Sequence, residues 1–230
     1  MSAPHPLDRP IWRCLNGRQS HLAIASGDAV RIDPRYGPFA TARDQGLDAQ
    51  TALAALLTDA DDTLWVVESE AWPAPDGTEI VLQKQLLQMV AEHPQMPLLS
   101  DTAAILLGDA DVPEMTALAL ATEPGPWGPL AHRYGNFYGF RLDGKLQAMA
   151  GMRMLPGEIY AEVSGVCTWP EFQGQGLAGQ LIRRVMADMV EDGQTPYLHS
   201  YAGNAHAIRL YESLGFRARR AMTVTIIRKI

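Results

Sequence analysis

Apolar positions after residue 177 recur at steps of three and four along the chain. The apolar set is Ala178, Leu181, Ile182, Val185, Met189 and Val190. Gln180, Arg183, Arg184, Asp188 and Glu191 occupy the positions between them. This spacing puts the apolar side chains on one face of an α-helix and the polar ones on the other. Because glycine readily takes the left-handed conformation that ends a helix, Gly193 is the predicted stop.

Strand-like and helical segments alternate on either side of that helix. The run from Ile159 to Thr168 predicts a strand before it, and Tyr197 to Tyr201 predicts a strand after it. A second, short helix then begins at Asn204, a good N-cap residue, and ends at Gly215. The C-terminal part of the chain therefore reads as strand, helix, strand, helix.

Further elements are predicted upstream of this unit. They are a strand from Ile105 to Leu107, a helix that begins with a capping box at Asp111 and Glu114, and two strands, Asn136 to Leu142 and Lys145 to Met154, that turn at Asp143-Gly144. A loop rich in proline and glycine, from Glu123 to Pro129, separates the helix from the two strands.

The first part of the chain is less patterned. It predicts a helix from Ala49 to Leu57, a strand from Leu64 to Glu68, a turn at Asp76-Gly77 and a helical stretch through Leu82, Leu86 and Val90. Pro94 and Pro97 interrupt the last of these. We therefore expect two domains, an N-terminal α/β subdomain over residues 1–97 and a second domain over residues 98–230.

The stretch Gln173-Gly174-Gln175-Gly176-Leu177-Ala178 opens the amphipathic helix and is a candidate anion cradle. Unpaired N–H groups in the first turn of a helix attract phosphate, and glycine lets a ligand approach the backbone closely. A nucleotide P-loop is excluded because Leu177, not lysine, follows Gly176. The dinucleotide pattern is matched by Gly174, Gly176 and Gly179, but it should open a fold with several parallel strands still to come, and about fifty residues remain. That interpretation is the weaker one.

A second motif follows the cradle, and the two together resemble the GNAT superfamily of acyl-CoA-dependent N-acyltransferases. The second motif is Asn204-Ala205-His206-Ala207-Ile208-Arg209-Leu210-Tyr211-Glu212-Ser213-Leu214-Gly215-Phe216. The resemblance covers roughly residues 98–230. It implies an α/β (α+β) fold with a mixed, mostly antiparallel central sheet flanked by helices. It also implies that this sheet is splayed between two parallel strands where CoA binds, and here the sheet would carry an N-terminal α/β extension.

The resemblance also implies a set of CoA contacts. The backbone of Val166 and Thr168 would meet the pantetheine arm in the manner of an added strand. The pyrophosphate would lie on the cradle, and the remaining contacts would come from the second motif. The implied residues are Val166, Thr168, Gln173, Gly174, Gln175, Gly176, Leu177, Ala178, Gly179, Asn204 and Tyr211. Gly165 would ease the close approach.

Two residues are implied in catalysis. A lysine-like acceptor amine must lose its proton, which at neutral pH costs roughly 4.6 kcal/mol. Glu162 stands where some similar enzymes hold a glutamate base, although a solvated strand carboxylate is an equal alternative. Tyr211 matches a tyrosine directed at the departing sulfur, and we expect it to donate a hydrogen bond rather than a whole proton. Its alternative is a core aromatic residue.

The acceptor is left open between a small amine and a peptide or protein. The resemblance places acceptor binding near the loop from Glu123 to Tyr134, where Trp127, His132 and Tyr134 are the side chains of interest. A non-catalytic acyl-CoA-binding sensor is the alternative function. Measuring the release of the CoA thiol separates the two, because an enzyme releases it and a sensor does not. His199 could relay a proton, although packing is its commoner role.

Net charge and cysteine content limit which partners and which kinds of site the protein can have. The chain has 230 residues with 19 Lys and Arg against 26 Asp and Glu, a net charge of −7, which argues against nucleic acid as a partner. Residues 172–230 nevertheless carry eight basic against four acidic side chains, where CoA phosphates would bind. Cys14 and Cys167 show no metal-ligand spacing, and no run predicts a membrane span. We expect a cytoplasmic acetyltransferase that uses acetyl-CoA and no metal, with its assembly open between monomer and homodimer.

Overall fold

The computed structural model describes residues 5–94 and 103–230. Within them the strands are β1 Ala23–Ser26, β2 Ala29–Ile32, β3 Ala40–Ala42, β4 Thr63–Glu68, β5 Thr78–Val90, β6 Ile105–Leu107, β7 Phe137–Leu142, β8 Lys145–Met152, β9 Tyr160–Thr168, β10 Thr195–Tyr201 and β11 Arg217–Lys229. The α-helices are α1 Pro10–Leu15, α2 Leu47–Ala54, α3 Val112–Thr122, α4 Leu177–Glu191 and α5 Ala205–Ser213. None of the described helices is long and apolar enough to cross a membrane.

One eight-stranded sheet organises the molecule, with the order β4-β11-β5-β10-β9-β8-β7-β6. Its strand pairs in the described residues are antiparallel except for β9 and β10. The first three strands form a separate small sheet, β1-β2-β3. The mixed, mostly antiparallel sheet flanked by helices is the predicted fold.

The large sheet takes strands from both parts of the chain. β5 belongs to the first 97 residues, yet it lies between β10 and β11. The predicted boundary between residues 97 and 98 falls in a stretch outside the described residues. The division into 1–97 and 98–230 therefore stays a prediction, and the two parts share one sheet.

The parallel strands separate after a short pairing. Residues Thr195–Tyr197 of β10 pair with Tyr160–Glu162 of β9, and the register goes no further. β9 continues to Thr168 and β10 to Tyr201 without pairing to each other. The sheet is therefore splayed between its two parallel strands, as predicted.

Two local predictions were wrong. The stretch through Leu82, Leu86 and Val90 is strand β5, not a helix. A spacing of four residues fits one face of a helix and also one face of a strand, and here pairing with β11 and β10 decides the conformation. Asp111 precedes α3 without capping it by its side chain. Its carboxylate instead accepts from Gly108 N–H and pairs with Arg141.

The two faces of the sheet are covered by different parts of the chain. Helix α4 packs its apolar side chains Leu181, Ile182, Val185, Met186 and Met189 against one face. The N-terminal elements cover the opposite face, where Ile11 and Phe39 join Val67, Leu86 and Val224 in a second apolar cluster. The N-terminal extension is thus part of the core of the molecule.

Candidate active site

A cavity of about 640 Å³ passes through the gap between β9 and β10. Residues Val163–Val166 of β9 and His199–Tyr201 of β10 line the gap itself. The starts of α4 and α5 line one end, which we call the cradle end. The face covered by the N-terminal elements lines the other, which we call the N-terminal end. The cavity therefore connects the two sides of the sheet.

Backbone geometry shapes the cradle end. Gly174 and Gly176 both have φ of 76°, in the left-handed region that favours glycine. Gly176 is the N-cap residue of α4 and supplies no side-chain hydrogen bond to the helix. The first backbone bond of the helix runs from Gln180 N–H to Gly176 C=O, which leaves the preceding N–H groups available to an anion.

The residues predicted to contact CoA, other than Gln175, line this cavity. They are Val166, Thr168, Gln173, Gly174, Gly176, Leu177, Ala178, Gly179, Asn204 and Tyr211. Gln175 is exposed and is not among the lining residues. The structure thus brings together residues from β9, the glycine loop and α5.

The glycine of the β9 bulge is constrained by its backbone conformation and by its neighbours. Gly165 has φ of 60° where the register between β8 and β9 shifts. A Cβ atom there would lie 2.7 Å from Cε1 of Phe137 and 3.5 Å from the Trp127 ring. Glycine is therefore required by the bulge and by the packing of Phe137, and its predicted part in the approach of a ligand stays a prediction.

Helix α5 presents Tyr211 to the cavity. Asn204 starts this helix, because its side-chain oxygen accepts from Ala207 N–H at 3.1 Å. Burial raises the pKa of Tyr211 to about 12. Its ring packs edge-on against Phe216 with centroids 6.1 Å apart. The phenol is thus a neutral donor held beside the cradle.

Glu162 is neither solvated nor free. Its side chain is 2% exposed, and Arg153 donates to both of its oxygens, at 2.8 and 3.0 Å. His199 Nδ1 lies 3.0 Å from Oε1 of the same carboxylate. Burial by itself would raise the pKa of Glu162, but the charge of Arg153 and the hydrogen bonds from His199 and Arg153 outweigh it and lower the pKa to about 2. The solvated alternative was wrong.

The imidazole of His199 is fixed on both sides. Gln88 Nε2 lies 3.1 Å from His199 Nε2, and an amide nitrogen can only donate. The orientation of Gln88 is set because its Nε2 also donates to Leu7 C=O and its Oε1 accepts from Arg219. His199 therefore carries its proton on Nδ1, facing Glu162, and its other nitrogen is already accepting.

Arg153 was not singled out from the sequence. It follows β8 and reaches Glu162 because Arg153 N–H and Glu162 C=O pair there at 3.0 Å. Its guanidinium also stacks on the ring of Phe39, 4.5 Å from the centroid. No local motif marks this arginine, since its partners come from β9 and from the N-terminal segment.

The N-terminal end of the cavity is apolar. Its walls are formed by α1, the segment before β3, and strands β4, β5 and β11. The side chains are Ile11, Phe39, Trp65, Val67, Leu86 and Val224. Trp65 and Phe39 meet edge-on at 6.5 Å. No motif in the sequence predicted a functional role for these residues.

The loop predicted to bind the acceptor contributes only its beginning. Glu123 to Pro126 line the cavity. Trp127 donates a hydrogen bond to Thr116 and packs against Phe137. Tyr134 is buried, and His132 Nε2 lies 2.7 Å from a carboxylate oxygen of Asp109. The three side chains of interest therefore do not line the main cavity.

Comparison with known proteins identifies a relative that matches over nearly the whole chain. A GNAT-family protein of known structure from Novosphingobium aromaticivorans is 58% identical, covers 99% of this chain and 100% of its own, and superposes with a TM-score of 0.94. This chain belongs to the GNAT family of N-acetyltransferases. The family description FR47-like protein also matches, over residues 137–225.

Two further relatives match different shares of this GNAT protein. The ribosomal protein bS18-alanine N-acetyltransferase of Escherichia coli is 36% identical over 85 residues, which are 36% of this chain and 55% of that protein. The chain thus spans about half the length of the curated relatives it matches. A GCN5-related N-acetyltransferase from Kribbella flavida shares the fold, with 20% identity, coverage of 90% and 88%, and a TM-score of 0.59.

Proposed function

We propose that this protein transfers the acetyl group of acetyl-CoA to a primary amine by direct attack in a ternary complex. The observation that carries the proposal is the continuous cavity, which joins the predicted anion cradle at one side of the sheet to an apolar pocket at the other. A thioester lying in the gap between β9 and β10 would be open to an amine from the N-terminal end.

The residues of the cradle fit the co-substrate. Left-handed glycines, free N–H groups at the start of a fifteen-residue helix and the positive end of its dipole all favour a pyrophosphate. The backbone of β9 beyond Glu162 is not paired to β10, so a pantetheine arm has room to align with Val166 and Thr168. Gln173 donates its side-chain amide to Thr168 C=O at 3.3 Å, which ties the loop to the strand.

Tyr211 is proposed to stabilise the leaving thiolate. In the transfer the amine nitrogen bonds to the thioester carbon, the C–S bond breaks, and the sulfur leaves as a thiolate. The proton that the nitrogen then loses passes to solvent or to that thiolate, so that amide and CoA are the products. A phenol with a pKa near 12 is a weaker acid than a thiol of about 8.5, so it has little tendency to protonate that sulfur. It can donate a hydrogen bond to the developing charge, which is the role expected of it.

Glu162 as general base remains a proposal that the geometry does not favour. A carboxylate with a pKa near 2 is a poor proton acceptor at neutral pH, and Arg153 and His199 already donate to it. We propose instead that Glu162 is a positioning residue that fixes Arg153 and His199 at the gap. Burial of the acceptor would then supply the free amine, because desolvation disfavours an ammonium and lowers its pKa.

The test is an acetyl-CoA reaction against a panel of amines, scored by CoA release and by the mass of the product. The panel contains small amines and a peptide that begins with alanine, the acceptor named for the Escherichia coli relative. Acetylated product with stoichiometric CoA supports the proposal. Tight CoA binding without product from any amine would support the sensor alternative, and absence of CoA binding would overturn both.

A further inference from the structure

The N-terminal end of the cavity has a composition that limits its ligand. The side chains that wall it are aliphatic or aromatic, and Phe39, Val67, Leu86 and Val224 are otherwise buried. Such a surface gains free energy by contact with apolar groups, at roughly 25 cal/mol per Å² removed from water. A ligand that fills this end should therefore carry an apolar body.

The charges near this end do not suit a second cation. Glu162 and Arg153 line the cavity near its N-terminal end and form an ion pair, so the carboxylate of Glu162 is already neutralised. Arg153 also stacks on Phe39, so a positive group already faces the apolar wall. Glu123 lines the cavity from the loop side, but it is exposed, and water and salt weaken its attraction for a cation.

Polar side chains border the junction between the two ends. Glu162, Ser164, His199 and Ser200 lie on the strands that border the gap, with the apolar walls beyond them. A ligand that matches this order has a polar head at the gap and an apolar body at the N-terminal end. The reacting nitrogen of an acceptor would be that head.

We propose that the acceptor is an apolar monoamine, that is, a primary amine on an aliphatic or aromatic body with no second positive charge. The inference rests on the proposed function and names the substrate class of the same site. It excludes polyamines and other polycations as preferred acceptors, although the acidic surface of the protein would attract them.

A longer acyl chain is the competing occupant of the apolar end. Glu162 and His199 at the border of the gap already have hydrogen-bond partners, so the hydroxyls of Ser164 and Ser200 decide between the two occupants. An acyl chain would pass these hydroxyls as a continuous apolar group and would make no hydrogen bond to them. An amine head meets that border. The observations therefore favour the acceptor, and the experiment separates the two.

The first arm compares hexylamine with 1,6-diaminohexane, which have the same chain and differ by one terminal ammonium. We expect kcat/KM to be about 10-fold or more higher for hexylamine, because the second ammonium would be buried without a partner. The diamine offers two reactive nitrogens, so a neutral site would favour it about 2-fold. Equal rates, or a preference for the diamine, would overturn the inference while leaving the proposed function intact.

The second arm removes one wall. Trp65→Ala should lower kcat/KM for hexylamine about 10-fold, with less effect on methylamine and with an unchanged Kd for CoA. Trp12→Ala is the matched control, since Trp12 packs on the same apolar cluster but does not line the cavity. The control should lose stability without changing the ratio of hexylamine to methylamine.

The third arm varies the acyl donor with one amine. If Trp65→Ala changes the ratio of hexanoyl-CoA to acetyl-CoA and leaves the amine ratio unchanged, the apolar end binds the acyl chain and the inference fails. No product from any amine would overturn the proposed function and the inference with it. An amine ratio that responds to Trp65 and not to Trp12 supports the inference.

Discussion

The cradle end of the cavity comes from a single stretch, residues 173–211, whereas the N-terminal end takes side chains from α1, β4, β5, β11 and the segment before β3. The cradle is built mainly from backbone groups and glycines. The other end is built from side chains that touch only because the sheet brings them together. One end therefore depends on local conformation and the other on the whole fold.

This difference matches the chemistry of the two proposed ligands. CoA presents the same phosphates to every protein that binds it, and helix N–H groups suffice to hold them. The proposed acceptor would be recognised by the shape of its apolar body and by the absence of a second charge. Such recognition requires side chains that surround the ligand. A change at the N-terminal end should therefore alter stability or substrate choice, and a change in the cradle should alter CoA affinity.

The largest expected effect lies at the boundary between the two ends. Glu162→Gln leaves the Arg153 guanidinium buried without its partner charge, which we expect to cost about 3 to 5 kcal/mol of unfolding free energy. Urea unfolding measures it. The double variant Glu162→Gln, Arg153→Met should recover much of the loss, because it removes both charges. A loss below about 1 kcal/mol in the single variant would mean that the pair contributes no more to stability than an exposed ion pair does.

The pH dependence of the same carboxylate has a definite sign. Its pKa falls from an ordinary value of 4.5 to about 2 in the folded protein. Its contribution is therefore present above pH 4.5 and is lost as the pH falls from there toward 2. Glu162→Gln should flatten this part of the stability curve. Between pH 7 and 9 the turnover deficit of the variant should stay constant, whereas a deficit that shrinks with rising pH would restore Glu162 as the base.

The next effect concerns turnover alone. Tyr211→Phe keeps the ring against Phe216 and removes the hydroxyl, so we expect turnover to fall about 10- to 100-fold with CoA affinity and melting temperature nearly unchanged. Tyr36→Phe, on a tyrosine that packs in the N-terminal cluster away from the cavity, is the control. Unchanged turnover would remove Tyr211 from catalysis, and a large loss of stability would make it a core aromatic.

A smaller effect tests whether the cradle acts through its backbone. Gly176→Val places a β-branched residue at φ of 76°, which we expect to weaken CoA binding about 10- to 100-fold. Gly193→Val imposes similar strain at φ of 70° beyond the other end of α4. Calorimetric Kd values for CoA should separate the two variants even if their stabilities fall alike. Equal affinities would place the phosphates elsewhere.

The smallest effect concerns the helix cap. Asn204→Ala removes the acceptor for Ala207 N–H and should cost about 1 kcal/mol of stability. Because α5 carries Tyr211, turnover should fall a little at temperatures where the helix end frays. Ser213→Ala, at the other end of the helix, is the comparison. An Asn204→Ala variant that loses CoA affinity with normal stability would make Asn204 a direct ligand contact.

The sequence was informative where structure is local. The cradle, the helix that follows it, the Asn204 cap and the turn at Asp143-Gly144 depend on neighbours within a few residues, and the structure confirms them as elements. The splayed sheet followed from the resemblance that these local motifs carry.

The sequence was uninformative where contacts are distant. The environment of Glu162 depends on Arg153 across a strand pair and on His199 on a third strand, so a solvated carboxylate and a buried one look alike in the sequence. β5 was mistaken for a helix because its partners lie more than a hundred residues away. The apolar end has no motif, since its residues meet only after the sheet has formed.

The position of β5 has a consequence for how the chain folds as it is made. Residues 78–90 are synthesised early, but their neighbours in the sheet are residues 195–229. Until those are available, β5 has two unpaired edges and exposes apolar side chains such as Leu86 and Met89 that are later buried. Contacts this distant along a chain slow folding and prolong the exposure of unpaired strands. Assembly of the part of the sheet that contains β4 and β5 must therefore wait for β10 and β11, and until then this segment is open to aggregation and to chaperones.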